Sequence, residues 1–123
     1  MLLTGWRLRI QHILGAIEQI GAFTQGMSFE EFARDAKTVY AVTYAFSIIG
    51  EAARNMPAAI VTAHPELPWS QMVRMRNVMV HAYHRIDTEL VWRTAQLDLP
   101  PLTPLLKRML QDEDAAPPDF QKR

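Results

Sequence analysis

The chain contains no cysteine among its 123 residues. That excludes a disulfide scaffold, a thiolate zinc site and a cysteine nucleophile, and it suits a reducing compartment. Excess charge of one sign is equally absent: thirteen lysines and arginines face thirteen aspartates and glutamates, for a formal net charge of zero. Coating of nucleic acid through bulk charge is therefore excluded, whereas a local basic patch is not. No glycine-rich phosphate loop, nucleophile elbow or glycine-rich hairpin turn occurs, and no run alternates apolar and polar residues as a strand would. The opening stretch MLLTGWRLRIQHIL carries arginines within its apolar pattern and has no small-residue cleavage signature. It reads as neither a signal peptide nor a membrane span, so a cytoplasmic protein is expected.

What is present is helical periodicity. Leu3, Trp6, Ile10, Ile13, Leu14, Ile17 and Ile20 form one apolar stripe, interleaved with Arg7, Gln11 and Glu18. Ser28 followed by Glu31 is a capping box, and Met27 with Phe32 is a hydrophobic staple. A second helix is therefore expected to start at residue 28 or 29 and to run unbroken to about Asn55. Pro57 suits the first turn of a short third helix over PAAIVTAH, and the two prolines of HPELPW mark a loop. SQMVRMRNVMVHAY resumes the helical pattern. Asp87 is placed to cap a further helix reaching about Leu97, with Ile86 and Val91 as its staple. LLKRMLQ allows one last short helix. The expectation is an all-α, up-and-down bundle of four to five helices, built on a long antiparallel pair near 3–22 and 28–55. One domain spans 1–111, and the charged, proline-bearing residues 112–123 form a flexible tail. The length suits a single domain with its own core.

Helical bundles often hold metals, but the glutamates of these helices do not suit one. Carboxylate-bridged di-iron bundles need Glu-x-x-His on two helices, and the residues three after Glu18, Glu31, Glu51, Glu66 and Glu89 are Gly21, Arg34, Arg54, Trp69 and Trp92. His81 and His84 alone are too few for a metal site. His12, on the polar side of the first helix, and His64, before a proline, read as solvated residues, and the tryptophans as core. The remaining concentration of polar groups is RMRNVMVHAYHR, with Arg74, Arg76, Asn77, His81, Tyr83, His84 and Arg85 in twelve residues. Arginine presents a permanent fork that matches phosphate oxygens, and histidine titrates near neutrality. Together they suit phosphodiester cleavage without a metal. Spacing alone favours a blander reading, with the arginines in solvent and His81 and Tyr83 packed at a helix end. Residues five apart on a helix point about 140° from each other, so Arg76 and His81 would converge poorly in one straight helix. They would converge if the helix ended near His81, or if two copies met across a two-fold axis. The Met72, Met75 and Met79 stripe offers such a partner an apolar face, although methionines at this spacing commonly face a core.

The segment resembles the signature of the HEPN superfamily: arginine, four to six residues, then histidine, with a polar residue directly after the arginine. Arg76-Asn77 with His81 and Tyr83 is similar to the stricter Arg-x4-His-x-Tyr form of the HepT-like branch. IIGEAARNMP at 48–57, HPELPW at 64–69, DTELVW at 87–92 and DLPPL at 98–102 follow in the order that branch shows. Where many relatives have glycine before the tyrosine and an aromatic after it, this chain has Ala82 and His84. The resemblance implies an α-helical homodimer and a metal-independent endoribonuclease that needs no cofactor. It also implies a toxin of a type VII-like toxin–antitoxin pair, silenced by an MntA-type nucleotidyltransferase that adds AMP to the motif tyrosine. Arg76 and His81 would then be catalytic, Asn77 supporting, and Tyr83 the AMP acceptor. Arg74 stays open as an alternative phosphate ligand, because Arg74 to His81 fits the six-residue spacing. Glu51, within the GEA match, is a further supporting candidate. A competing class is a non-catalytic helical module that pairs with a nucleotidyltransferase and merely retains the motif.

Overall fold

Trp6, Ile10, Ile13, Ile17 and Ile20 recur at intervals of three and four, and they are the buried stripe of the first helix, α1 (Gly5–Thr24). The computed structural model of the chain describes residues 5–81 and 86–114, with the backbone alone at 78–81 and 112–114. All its regular elements are helical and none of the described residues forms a strand, which bears out the all-α expectation. None of the described helices is long and apolar enough to cross a membrane.

α1 ends between Gly21 and Gly26. The helix continues to Thr24, whose hydroxyl donates to Ile20 O at 2.9 Å, and the turn is made by Gly26 at φ +78°, the left-handed region open to glycine. Ser28 and Glu31 then form the expected capping box. Ser28 Oγ accepts from Glu31 N at 3.1 Å, and Ser28 N donates to Glu31 Oε1 at 2.8 Å.

The helix that begins there is short. Instead of one element to Asn55, the chain forms α2 (Phe29–Arg34) and, after a break at Asp35, α3 (Ala36–Arg54). Asp35 leaves helical geometry, at φ −102° and ψ 88°, and caps the second segment: Oδ1 accepts from Thr38 N at 3.1 Å and Oδ2 from the Thr38 hydroxyl at 2.8 Å. The Thr38 hydroxyl, followed by its backbone N–H, holds the Asp35 carboxyl below the usual carboxylate range. The break lets α2 turn its one buried side chain, Phe32, against Trp92, with ring centroids 5.2 Å apart.

Short α4 (Ala58–Ala63) follows Pro57, as expected, and the loop after it leads into α5 (Trp69–His81). Asp87 caps α6 (Thr88–Arg93) through Leu90 N at 3.1 Å. A π turn, Thr94–Asp98, closes α6 through Leu99 N to Thr94 O at 3.0 Å, and α7 (Leu102–Asp114) ends the described chain. The core is continuous: Ile10, Ile13, Val42, Ile49, Met72, Val91, Leu99 and Leu106 are all fully buried in one cluster. Each such side chain contributes on the order of 1.5–3 kcal/mol relative to exposure. Trp6 and Trp69 are buried as expected, and Trp92 packs on the same core from its edge. Arg9 and His12, near the start of α1, lie beside Ser47, Ile48 and Glu51, near the end of α3, so these two long helices run antiparallel.

Candidate active site

Where α5 crosses α3, the backbones come closer than side chains allow. A Cβ added to Gly50 would lie 2.5 Å from Arg76 Cβ and 2.6 Å from Arg76 N. Glycine within a helix costs about 1 kcal/mol against alanine, and here the missing Cβ is what seats α5 on α3. Met72, one turn earlier on α5, is fully buried and fixes the rotation of the helix. Arg76 is thereby placed at the edge of the α3–α5 seam rather than in open solvent.

The residue after Gly50 meets that arginine. Arg76 Nε lies 3.0 Å from Glu51 Oε1, with side-chain exposures of 38% and 51%. The same carboxylate receives Arg54 Nη1 at 3.4 Å and Asn55 Nδ2 at 3.1 Å. Glu51 is therefore held from both ends: one turn of its own helix fixes the carboxylate, and the carboxylate orients the guanidinium. Half-exposed ion pairs contribute little stability, so the arrangement reads as orientation rather than cohesion. With Nε on Glu51 and its side chain 38% exposed, Arg76 has further guanidinium N–H groups with which to meet an anion.

Arg74 occupies the other flank of α5. Its Nη1 donates to Ser70 Oγ at 3.1 Å, and it lines a largely apolar cavity of about 560 Å³ with Phe46, Met75, Val91, Thr94 and Leu102. The two arginines thus open onto different surfaces. Asn77 is exposed on α5. The backbone at His81 is helical, and Tyr83, His84 and Arg85 lie outside the described residues, as do their expected roles. Met72 and Met75 face the core, buried and half-buried, so they are not the partner-facing stripe that their spacing also allowed.

One of the two histidines read as solvated differs from that reading. His64 is buried rather than solvated: the proline-flanked turn folds it inward, Trp69 Nε1 donates to its carbonyl at 2.9 Å, and Nδ1 sits 3.4 Å from Glu66 Oε2. His12 is exposed as expected, but it is not isolated. With Arg9, Tyr44, Ser47, Glu51 and Arg76 it lines one open groove of about 450 Å³. The spacing of Arg9 and His12, three apart on one helix, was the only local signal; their meeting with α3 and α5 is a long-range fact. No cluster of three or more potential metal-ligating His, Asp or Glu side chains occurs among the described residues.

Comparison with known proteins places this geometry. The family model described as "Ribonuclease HepT-like" matches residues 13–109, which include Gly50, Glu51, Arg76 and His81. The chain is 44% identical over 93 residues to "Probable ribonuclease HepT" of Thermococcus cleftensis, covering 76% of this chain and 84% of that protein. A protein named "Putative RNase" from Methanocaldococcus jannaschii is 37% identical over 86 residues, covering 70% of this chain and 71% of its own length. Another of that name, from Caldanaerobacter subterraneus subsp. tengcongensis, is 32% identical over 104 residues, covering 85% of this chain and 93% of its own. No solved structure matches the chain. A family match across most of the helical core, with the Gly50–Glu51–Arg76 contact inside it, makes the chain a member of the HepT-like ribonuclease family of HEPN proteins.

Proposed function

We propose that the chain is a metal-independent endoribonuclease, acting in the cytoplasm as the toxin of a type VII-like toxin–antitoxin pair. The observation that carries this reading is the presentation of Arg76: a guanidinium seated over Gly50, oriented through Nε by Glu51, and half open to solvent. A fork held this way has outward N–H donors for the non-bridging oxygens of a scissile phosphate. As the ribose 2′-hydroxyl attacks phosphorus, negative charge builds on those oxygens, and a pre-oriented arginine stabilises it without reorganisation. His81 takes the 2′-hydroxyl proton or returns one to the departing 5′ oxygen. The P–O5′ bond breaks, leaving a 2′,3′-cyclic phosphate and a 5′-hydroxyl. Asn77 supports the phosphate from the exposed face of α5.

Arg76 and His81 both lie within α5, which is described as far as His81, and residues five apart on a helix are about 140° apart around its axis. This supports a homodimer in which Arg76 of one protomer and His81 of its partner share a substrate. Tyr83, two residues beyond His81, is the AMP acceptor for an MntA-type nucleotidyltransferase antitoxin. A phosphodiester-linked nucleotide there adds negative charge beside the phosphate-binding arginine and repels RNA.

The test is cleavage of a single-stranded RNA by purified protein in chelator. Wild type should cut and leave 2′,3′-cyclic phosphate ends, and His81→Ala should not. Full cleavage by His81→Ala, or loss of wild-type cleavage in chelator, would sink the mechanism. Mass spectrometry after co-expression with the nucleotidyltransferase should find AMP on Tyr83, and an unmodified Tyr83 would remove that part of the reading.

A further inference from the structure

The groove that contains Arg76 has more in it than a phosphate ligand. Its α1 wall supplies Arg9 and His12, and its α3 wall supplies Tyr44, Ser47 and Glu51. Tyr44 is 68% exposed, and Tyr40, one helical turn earlier, is 64% exposed. The two form an exposed aromatic pair on one helix face, with ring faces open to a partner. The charge balance of the groove indicates its sign. Two arginines and a histidine face one carboxylate, and that carboxylate is already shared among Arg76, Arg54 and Asn55. In a chain of zero net charge, this is a local cationic groove with an aromatic wall.

The geometry points to this α1–α3 groove as the track for single-stranded RNA leading to Arg76, with Arg9 and His12 on the phosphates and Tyr44 stacking on an unpaired base. The inference rests on the ribonuclease reading above and extends it to residues outside the HEPN signature. An exposed aromatic beside a run of cations is the arrangement by which sequence-tolerant single-strand binders hold RNA. Stacking needs only the ring face, whereas a backbone phosphate needs a cation that is not already neutralised. Among the described residues, no carboxylate pairs with Arg9 or His12. The antiparallel pairing of α1 and α3 puts this wall on rigid helices, so the groove exists before RNA arrives.

The test uses full-length His81→Ala protein and a fluorescent oligoribonucleotide made uncleavable by 2′-O-methylation, with affinity followed by anisotropy over a salt series. Tyr44→Ala should weaken binding roughly five- to hundredfold, the range one stacked base supplies, while Tyr44→Phe should bind as the parent does. Arg9→Gln should reduce the slope of log affinity against log salt by about 0.7, one single-strand phosphate contact. Unchanged affinity in both Tyr44→Ala and Arg9→Gln would overturn the track. So would retained RNA binding with loss of self-association in Tyr44→Ala, measured by sedimentation, because the face would then belong to a second copy. If wild-type protein fails to cut RNA yet Tyr44→Ala weakens binding, the catalytic reading falls and the track stands. If wild type cuts and the variants bind normally, only the track falls.

Discussion

The two flanks of α5 carry the same residue type in opposite settings. On the α3 flank, Arg76 sits over a missing Cβ, is oriented by Glu51, and opens into a polar groove. On the α6–α7 flank, Arg74 is tied to Ser70 on its own helix and borders an apolar cavity. One arginine is positioned by tertiary structure and the other by its neighbour one turn away. A guanidinium contributes to a transition state in proportion to how well it is pre-oriented, so under the proposed ribonuclease reading Arg76 is the phosphate ligand and Arg74 a rim cation.

The sharpest way to break this comparison is to delete each arginine in turn. Arg76→Ala keeps the Cβ that rests on Gly50, so the protein should fold, yet cleavage should fall by about 10²–10³-fold, the usual cost of losing one transition-state charge donor. Arg74→Ala should cost less than about tenfold, through weaker RNA attraction alone. Single-turnover rates on one RNA, with circular dichroism to verify folding, decide between them. Equal losses would mean that both arginines meet the phosphate.

The next effect is on the seam itself. Gly50→Ala would gain about 1 kcal/mol of helix propensity, but its Cβ would meet the backbone nitrogen of Arg76, which cannot swing away as a side-chain tip would. Overpacking of this kind costs about 1–3 kcal/mol, and backbone obstruction puts it at the upper end, for a net loss of about 2 kcal/mol. Chemical denaturation should register that loss, and cleavage should fall below what the folded fraction predicts because Arg76 has moved. Unaltered stability with full cleavage would show that α5 is not seated as described.

How far the sequence disclosed these features depends on their range. The Ser28–Glu31 cap and the Asp87 cap are local hydrogen bonds within four residues, and both were legible from residue order. Asp35 was not. An aspartate inside a periodic run looks the same whether it points to solvent or breaks the helix, and Asp35 caps Thr38 only because its own backbone leaves helical geometry. Gly50 and Glu51 stood inside a recognisable match, but their contact with Arg76 spans 25 or more residues and has no local signature. The solvated reading holds for His12, whose groove neighbours come from distant elements, and fails for His64, which a turn folds out of solvent. Position on a helix predicts which way a side chain points, not what is waiting there.

The smallest expected effect lies away from α5, at the break that lets α3 begin where it does. The Asp35 carboxyl is held below its usual range by the Thr38 hydroxyl and backbone N–H. A carboxyl depressed in the folded state favours folding above its unfolded pKa, and that contribution is lost as pH falls through the folded value. Stability should therefore decline on the acid side of the ordinary carboxylate range in part through this group. Asp35→Asn keeps an oxygen that caps Thr38 N but cannot titrate. Its thermal midpoint near neutrality should lie slightly below wild type, because the contribution of the charge is gone, and its decline below the carboxylate range should be shallower. An identical acid limb in both proteins would mean that the cap works as a neutral hydrogen bond and that charge at the α2–α3 break contributes nothing to seating α3 under Arg76.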